Sequence, residues 1–325
     1  MPAFIPPSII AGMSTYIAVD IGGTHIRSAA FEEDNPEPLS HQRVRSYARE
    51  PGIFDRLVAT IKDVWPEDKG VTAIGIAAPG PLDPRAGVIL TTPNIPGWNN
   101  FPLAEKLSQE FSVPVYLNND ANLAALGEWK FGAGRGHQDV LYLTVSTGIG
   151  GGVIIRNRLL QGYHGLAAEL GHVTLLAGGP MCSCGFPGHL EALASGPAIV
   201  RYVQEQLQAG VESVLAEQAG FNARDVAEAA GKGDRLAAEA YARAGEYLGI
   251  GIASFLHIFD PSIVILGGGV SRSGRLLFDP VEASLKKHVL NPGYLKGLVV
   301  TPAALGDDAG LLGSLAMAQM AQADS

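Results

Sequence analysis

YIAVDIGGTHIRSAAF, residues 16–31, decides how the rest of the chain is read. Residues 16–20 are apolar up to a closing aspartate, the pattern of a buried strand. Gly22 and Gly23 follow, and residues 26–31 read as a return strand. The unit is strand, glycine turn, strand. Residues 141–155 (LYLTVSTGIGGGVII) repeat it: an apolar strand over 141–145, a glycine-rich loop, and a short return strand over 153–155. One copy in each half of the chain suggests two related domains.

The segments around these units alternate between strand and helix. Ile53, Leu57, Ile61 and Val64 recur at helical spacing, and residues 71–77 form an apolar strand. A short helix over 101–111, a strand over 113–117 and a helix over 120–129 come next. Helices over 197–208 and 235–259 lead to a strand over 263–266, three glycines and a final helix over 308–320. This alternation implies α/β layers. The expected division is a smaller α/β domain over 14–117, joined by the C-terminal helix of about 308–325, and a larger one over 118–307. Residues 1–13 read as a disordered tail, with Met13 a candidate start.

Composition narrows the function classes. The chain has 325 residues, 47% of them hydrophobic and 17% charged, enough to bury a large core. Its net charge of −9, with no basic cluster, excludes a nucleic-acid surface or an anionic membrane as partner. No apolar run approaches the roughly 20 residues that span a bilayer. The N-terminus lacks a basic segment and is broken by prolines, so it does not read as a signal peptide. Two cysteines make no disulfide framework, which points to a reducing, cytoplasmic setting.

The glycine turns carry the first chemistry. Asp20, Gly22, Gly23, Thr24 and Arg27 combine a carboxylate, bare backbone N–H groups, a hydroxyl and a guanidinium. That set suits phosphate and a hydrated magnesium ion; the bland alternative is a plain hairpin. The second loop, with Thr147, Gly148 and Gly150, favours phosphate, since two such loops can grip a polyphosphate from two sides. No G-x-x-x-x-G-K-[ST] occurs, because Gly231-Lys232 is followed by glycine, and no G-x-G-x-x-G follows a strand.

Asn118-Asn119-Asp120-Ala121-Asn122 ends a strand and opens a helix. Asp120 there is either a general base for an attacking hydroxyl, kept ionised by the helix N-terminus, or simply the N-cap. Sugars call for planar bidentate groups, carboxylates and amides. Asn119 and Asn94 (in TTPNIPGW) are candidates, and Asn94 serves equally as an Asx turn before Pro96. Asp260 reads as a cap. The pair Asp307-Asp308 reads as a cap for the last helix rather than a metal site. CSCGFPGHLE, residues 182–191, holds both cysteines. A disulfide closing so small a ring is strained, which leaves a metal site, or a decayed one, as the readings.

DIGGTHIR, NNDAN, STGIGGG, ELGH, CSCGFPGHLE, ILGGGVS and LGDDAGLLGS together resemble the ROK sugar kinases. These belong to the actin, hexokinase and heat-shock ATPase superfamily. The resemblance runs from about Tyr16 to the C-terminus. It implies a two-domain actin-like (ribonuclease H-like) ATPase fold with an interdomain cleft, ATP and magnesium, and phosphorylation of a hexose with Asp120 as base. Asp120, Glu169, His172 and Glu191 match positions that bind sugar hydroxyls. Gly268 and Gly269 lie on the family's adenosine side. Glucose, at its 6-hydroxyl, is the expected substrate. Mannose, fructose, allose and N-acetylhexosamines are the alternatives, and a polyphosphate donor fits less well.

The family's metal pattern is a histidine, then C-x-C-G-x-x-G-C, then a glutamate. His172, Cys182 and Cys184 match, and His189 stands where the last cysteine belongs. The expectation is a structural Cys2His2 zinc site that orients His172 and Glu191. The resemblance also implies a homodimer or homotetramer. Two other classes are a sugar-sensing repressor and a sugar-free actin-like ATPase. The first needs a helix-turn-helix, for which a first strand near Tyr16 leaves no room; the second lacks the histidine–cysteine segment.

Overall fold

The computed structural model describes residues 14–46, 52–68, 70–91, 97–218 and 220–323. Two compact units divide the chain: residues up to 118 together with those from 314 onward, and residues 119–313. Asn94 lies outside the described residues.

In the first unit β1 (Thr15–Ile21), β2 (His25–Glu32) and β3 (Ser40–Arg45) run antiparallel to their neighbours. After α1 (Ile53–Val64), β4 (Val71–Ala78) pairs parallel with β1. A small ribbon of β5 (Leu82–Asp83) and β6 (Val88–Ile89), then α2 (Leu103–Phe111), leads to β7 (Val115–Asn119) beside β4. The sheet order is β3-β2-β1-β4-β7. β1 is apolar on both faces because helices cover both, so it reads as a run rather than an alternation. Leu57, Ile61 and Val64 of α1 are buried against Ile17, Val19, Ile74 and Ile76.

The second unit opens with α3 (Asp120–Phe131), followed by β8 (Val140–Val145), β9 (Ile149–Ile155) and β10 (Arg158–Leu159). A helical series follows: α4 (Leu190–Ala194), α5 (Gly196–Gln208), α6 (Ala223–Gly231) and α7 (Arg235–Phe259). β11 (Ile263–Gly267), α8 (Arg275–His288) and β12 (Val299–Pro302) complete it. The sheet order is β10-β9-β8-β11-β12, with β8/β9 antiparallel and β8, β11 and β12 parallel. Each sheet therefore carries its first three strands as an antiparallel meander, with the next two beyond the first strand. The two hairpins that look alike in sequence sit at the same place in two sheets of one topology.

One boundary shifts. The return strand begins at Ile149, not at 153, because Gly150, Gly151 and Gly152 pair with Thr144, Leu143 and Tyr142 in register. Most of the glycine stretch is strand, and only residues 146–148 form the turn. β3, β10, β12, α4, α6 and α8 have no counterpart in the reading above. β3 is a polar edge strand, half exposed. Pro280 lies inside α8 and reads as a break in sequence. Asp260 does cap α7, in the left-handed region, while Asp307 accepts from Arg272 at 2.6 Å.

The last helix, α9 (Ala309–Ala323), crosses the division between the units. Its beginning packs on α3: a Cβ on Gly313 would lie 1.7 Å from the Leu123 carbonyl, and one on Gly127 would lie 2.4 Å from that of Ala309. Its later part belongs to the first unit, where the Ser314 hydroxyl donates to the Val19 carbonyl at 2.9 Å. At the other end of α3, fully buried Glu128 accepts the N–H groups of Ala133, Ala304 and Leu305 at 2.8, 3.1 and 2.7 Å. Replacing Glu128 by alanine removes three hydrogen bonds to a buried carboxylate, each to a charged group worth about 1.5–3 kcal/mol. Glu128→Ala should therefore lower stability in urea unfolding by about 3–5 kcal/mol, most of the margin of an ordinary domain.

Candidate functional site

The first turn is closed by the Gly22 N–H on the His25 carbonyl at 2.9 Å. Ser46 straps it from β3, its N–H on the Thr24 carbonyl at 2.9 Å and its hydroxyl on that of Gly22 at 2.5 Å. Gly23 and Thr24 are exposed, with open space where a Gly23 side chain would be. Asp20 and Arg27 face each other across β1 and β2 and form an ion pair. His25 is held below the usual imidazole range, by partial desolvation and then by Arg43, Arg45 and Arg27. Arg43 and Arg45 thus add positive charge beside the turn, where Arg27 is already paired with Asp20.

In the second unit Asn119, not Asp120, is the N-cap of α3. Its Oδ1 accepts from Ala121 at 2.9 Å and Asn122 at 3.4 Å. Asp120 is the first helical residue, exposed, with its Oδ1 also accepting the Ala121 N–H at 2.8 Å. The cap reading of Asp120 is displaced by one residue, and its carboxylate stands at the positive end of the helix dipole.

The absence of side chains on β9 and the turn before it lets three elements close on them. A Cβ on Gly150 would lie 2.9 Å from the Ala121 Cβ, and one on Gly152 would lie 2.5 Å from that of Ala125, so α3 rests on bare strand. A Cβ on Gly151 would lie 2.7 Å from Leu170, and one on Gly171 would lie 1.9 Å from the Ile149 carbonyl. This brings the ELGH turn, Leu170–His172, onto the same strand with exposed Glu169 beside it. A Cβ on Gly148 would lie 2.5 Å from Oε2 of Glu191.

Glu191 is tied on both oxygens. Oε2 accepts the Ile149 N–H at 3.0 Å, while Oε1 accepts the Ser183 hydroxyl at 2.7 Å and the Cys182 thiol at 3.3 Å. Burial alone raises its pKa, but these bonds and the His172 charge outweigh it and hold the carboxyl below the usual range. Burial pushes the Cys182 thiol the other way, up to about 11.

His172, Cys182, Cys184 and His189 each offer an atom within 4.8 Å of the others. His172 Nδ1 lies 3.7 Å from Cys182 Sγ, and His189 Nδ1 lies 3.2 Å from Cys184 Sγ. Tetrahedral zinc with Zn–N of about 2.0 Å and Zn–S of about 2.3 Å needs ligand separations of roughly 3.3–3.8 Å. The donor types suit zinc, and the two quoted pairs lie near that range, while separations reaching 4.8 Å mean the ligands would have to draw together to close on an ion, His189 included. His189 is buried and precedes α4 as its N-cap residue, so the fourth donor and Glu191 share one short helix.

On the other side of residues 146–147 lies a largely apolar cavity of about 1030 Å³. Ser146, Thr147 and Gly269 line it with Phe221, Ala223, Arg224, Tyr241, Val270 and Arg272. Gly268 is not in its wall. It holds a positive φ of 84° where a Cβ would lie 2.3 Å from the Val145 carbonyl, so it passes the chain over the end of β8. Phe221 and the start of α6 were not anticipated. The signal was Asn222 with Asp225 three residues on, which form a reciprocal capping box in the structure. Ser46, Glu128 and Ser183 carried no sequence signal.

These elements define a nucleotide-binding ATPase fold with a histidine–cysteine segment, and comparison with known proteins agrees. The ROK family model matches residues 16–321, and the chain belongs to the ROK family. A glucokinase from Thermotoga maritima is 38% identical over 304 residues, 92% of this chain and 95% of that protein. The crystal structure of a ROK family glucokinase from Streptomyces griseus in complex with glucose and AMPPNP is 37% identical, with a TM-score of 0.77, covering 95% of this chain and all of that one. A ROK hexokinase from Thermus thermophilus gives 37% and 0.82, with 96% and 100% covered. The fold is the actin-like ATPase fold. Among the described residues no helix is long and apolar enough to cross a membrane.

Two glycines separate structure from function. In Gly148→Ala the clashing atom is the end of a flexible side chain, so Glu191 moves and the fold survives. Turnover efficiency should fall at least tenfold while the melting temperature stays within roughly 3 °C of wild type. In Gly171→Ala the clash is with backbone, and the melting temperature should drop by more than about 5 °C. Calorimetry beside a coupled kinase assay measures both.

Proposed function

We propose that this chain is an ATP-dependent hexose kinase that phosphorylates glucose at the 6-hydroxyl. The observation that carries the reading is full-length similarity to glucokinases, joined to an exposed Asp120 at the first position of α3. Asp120 takes the proton of the attacking hydroxyl. Phosphoryl transfer asks little covalent chemistry of the protein and much positioning, so one such carboxylate suffices. The turn of Asp20, Gly22, Gly23, Thr24 and Arg27 and the turn at Thr147 and Gly148 supply phosphate contacts. Magnesium enters with the nucleotide, and Asp20 is a fitting single carboxylate for it. The adenosine takes the cavity bordered by Gly269.

Glu169, His172, Glu191, Asn119 and Asn94 are the proposed sugar contacts. Zinc, held by His172, Cys182, Cys184 and His189, supplies structure rather than chemistry; a closed four-ligand site has no open position. Bound there, it would hold one nitrogen of His172 and so set the ring orientation for the sugar. Thiolate ligands survive in a reducing cytoplasm, the setting of this reading. A homodimer or homotetramer, as the family resemblance implies, completes it.

Asp120→Asn should keep the fold by circular dichroism and lower kcat by about three orders of magnitude or more. Near-normal turnover of that variant would sink the base assignment. Parallel kcat/KM values for glucose, mannose, fructose, allose and N-acetylglucosamine rank the substrate, and glucose should lead. Untagged protein should carry one zinc per chain by mass spectrometry. His189→Ala should lose it and His189→Cys should retain it.

A further inference from the structure

Ser183 lies between the two cysteines and belongs to neither the proposed metal nor the proposed sugar contacts. Its residue is exposed, and its hydroxyl donates to Oε1 of Glu191 at 2.7 Å with the Cys182 sulfur 4.0 Å away. The Cys182 thiol shares that oxygen at 3.3 Å, but S–H is a weak donor, so the hydroxyl is the stronger hold. Oε2 of the same carboxylate takes the Ile149 N–H at 3.0 Å. Ile149 starts β9 opposite Val145, and the turn between them is closed by the Ser146 N–H on the Gly148 carbonyl at 2.8 Å. Ser146 in turn accepts the Gly196 N–H at 2.8 Å and lines the large cavity with Thr147.

We propose that Ser183 is a positioning residue: through Glu191 it ties the histidine–cysteine segment to the Ser146–Gly148 turn, so that one hydroxyl steadies both substrate sides. With Cys182 bound to zinc as a thiolate it has no proton to donate, so without Ser183 the carboxylate is held only by Ile149 and rotates more freely, because no side chain at Gly148 confines it. Its freedom passes to Ile149 and the turn as well as to whatever Glu191 contacts. The sugar arm rests on the proposed Glu191–sugar contact; the nucleotide arm does not.

The test uses the full chain as wild type, Ser183→Ala, Ser183→Thr and Glu191→Gln. Steady-state kinetics are measured with glucose and magnesium ATP, metal content by mass spectrometry, and hydrogen exchange at the Ile149 amide. Losing a hydrogen bond to a charged group should raise both KM values about fivefold to tenfold in Ser183→Ala, with kcat within about twofold. Ile149 should exchange faster, zinc should stay, and Ser183→Thr should restore all three readings. Unchanged nucleotide KM and unchanged Ile149 exchange in Ser183→Ala would overturn the proposal. So would loss of metal in that variant, since the effect would then run through the metal site. If Glu191→Gln leaves the glucose KM unaltered, the sugar contact of Glu191 fails, and the nucleotide KM and Ile149 exchange alone judge Ser183.

Discussion

A polypeptide strand without side chains can be approached from its faces to backbone distance. β9 uses this with three consecutive glycines, Gly150 to Gly152, and Gly148 extends it into the preceding turn. Helix α3 with Asp120, the ELGH turn with His172, and Glu191 of α4 all come to rest there. Each would be held off by a single methyl group. Glycine costs conformational entropy in a strand, roughly 0.5–1 kcal/mol against alanine, and the sheet register of β8 and β9 offsets it. What the strand gains is that groups from three separated segments meet on one rigid support.

The histidine–cysteine cluster extends the same logic to a segment with little apolar content. Among residues 176–188 only Cys182 and Gly188 are buried, so no hydrophobic core holds the segment in shape. Four donors within 4.8 Å would give it a different cross-link on taking up the proposed zinc. His189, where the family resemblance places a cysteine, is buried at the N-cap position of α4 and brings its imidazole to within 4.8 Å of the other three donors. The substitution removes one negative charge from a site that already faces Glu191.

Much of the fold was legible because its signals are local. Hydrophobic runs marked β1, β4, β8 and β11, and helical spacing marked α1 and α7, whose ends at Arg235 and Phe259 match the reading. The weak repeat of two glycine hairpins anticipated two sheets of one order. What escaped were elements whose stability is tertiary. β3 is a polar edge strand, α8 carries Pro280 on α7, where Gly245 makes room for it, and α6 is short. The glycine stretch of β9 was read as loop since glycine has no strand propensity, and only pairing with Thr144, Leu143 and Tyr142 makes it one.

By itself the sequence determined the family, the hairpin repeat, the candidate base at Asp120, and a donor set of two cysteines and two histidines. These rest on residue identity and short spacing, which chemistry constrains directly. Only the tertiary structure decided that Asn119 takes the cap beside Asp120, and that Gly150 serves packing. It likewise decided that Glu191 is bound on both oxygens by residues 8 and 42 positions away. Such pairings depend on which segments the sheet brings together, and no local pattern records them.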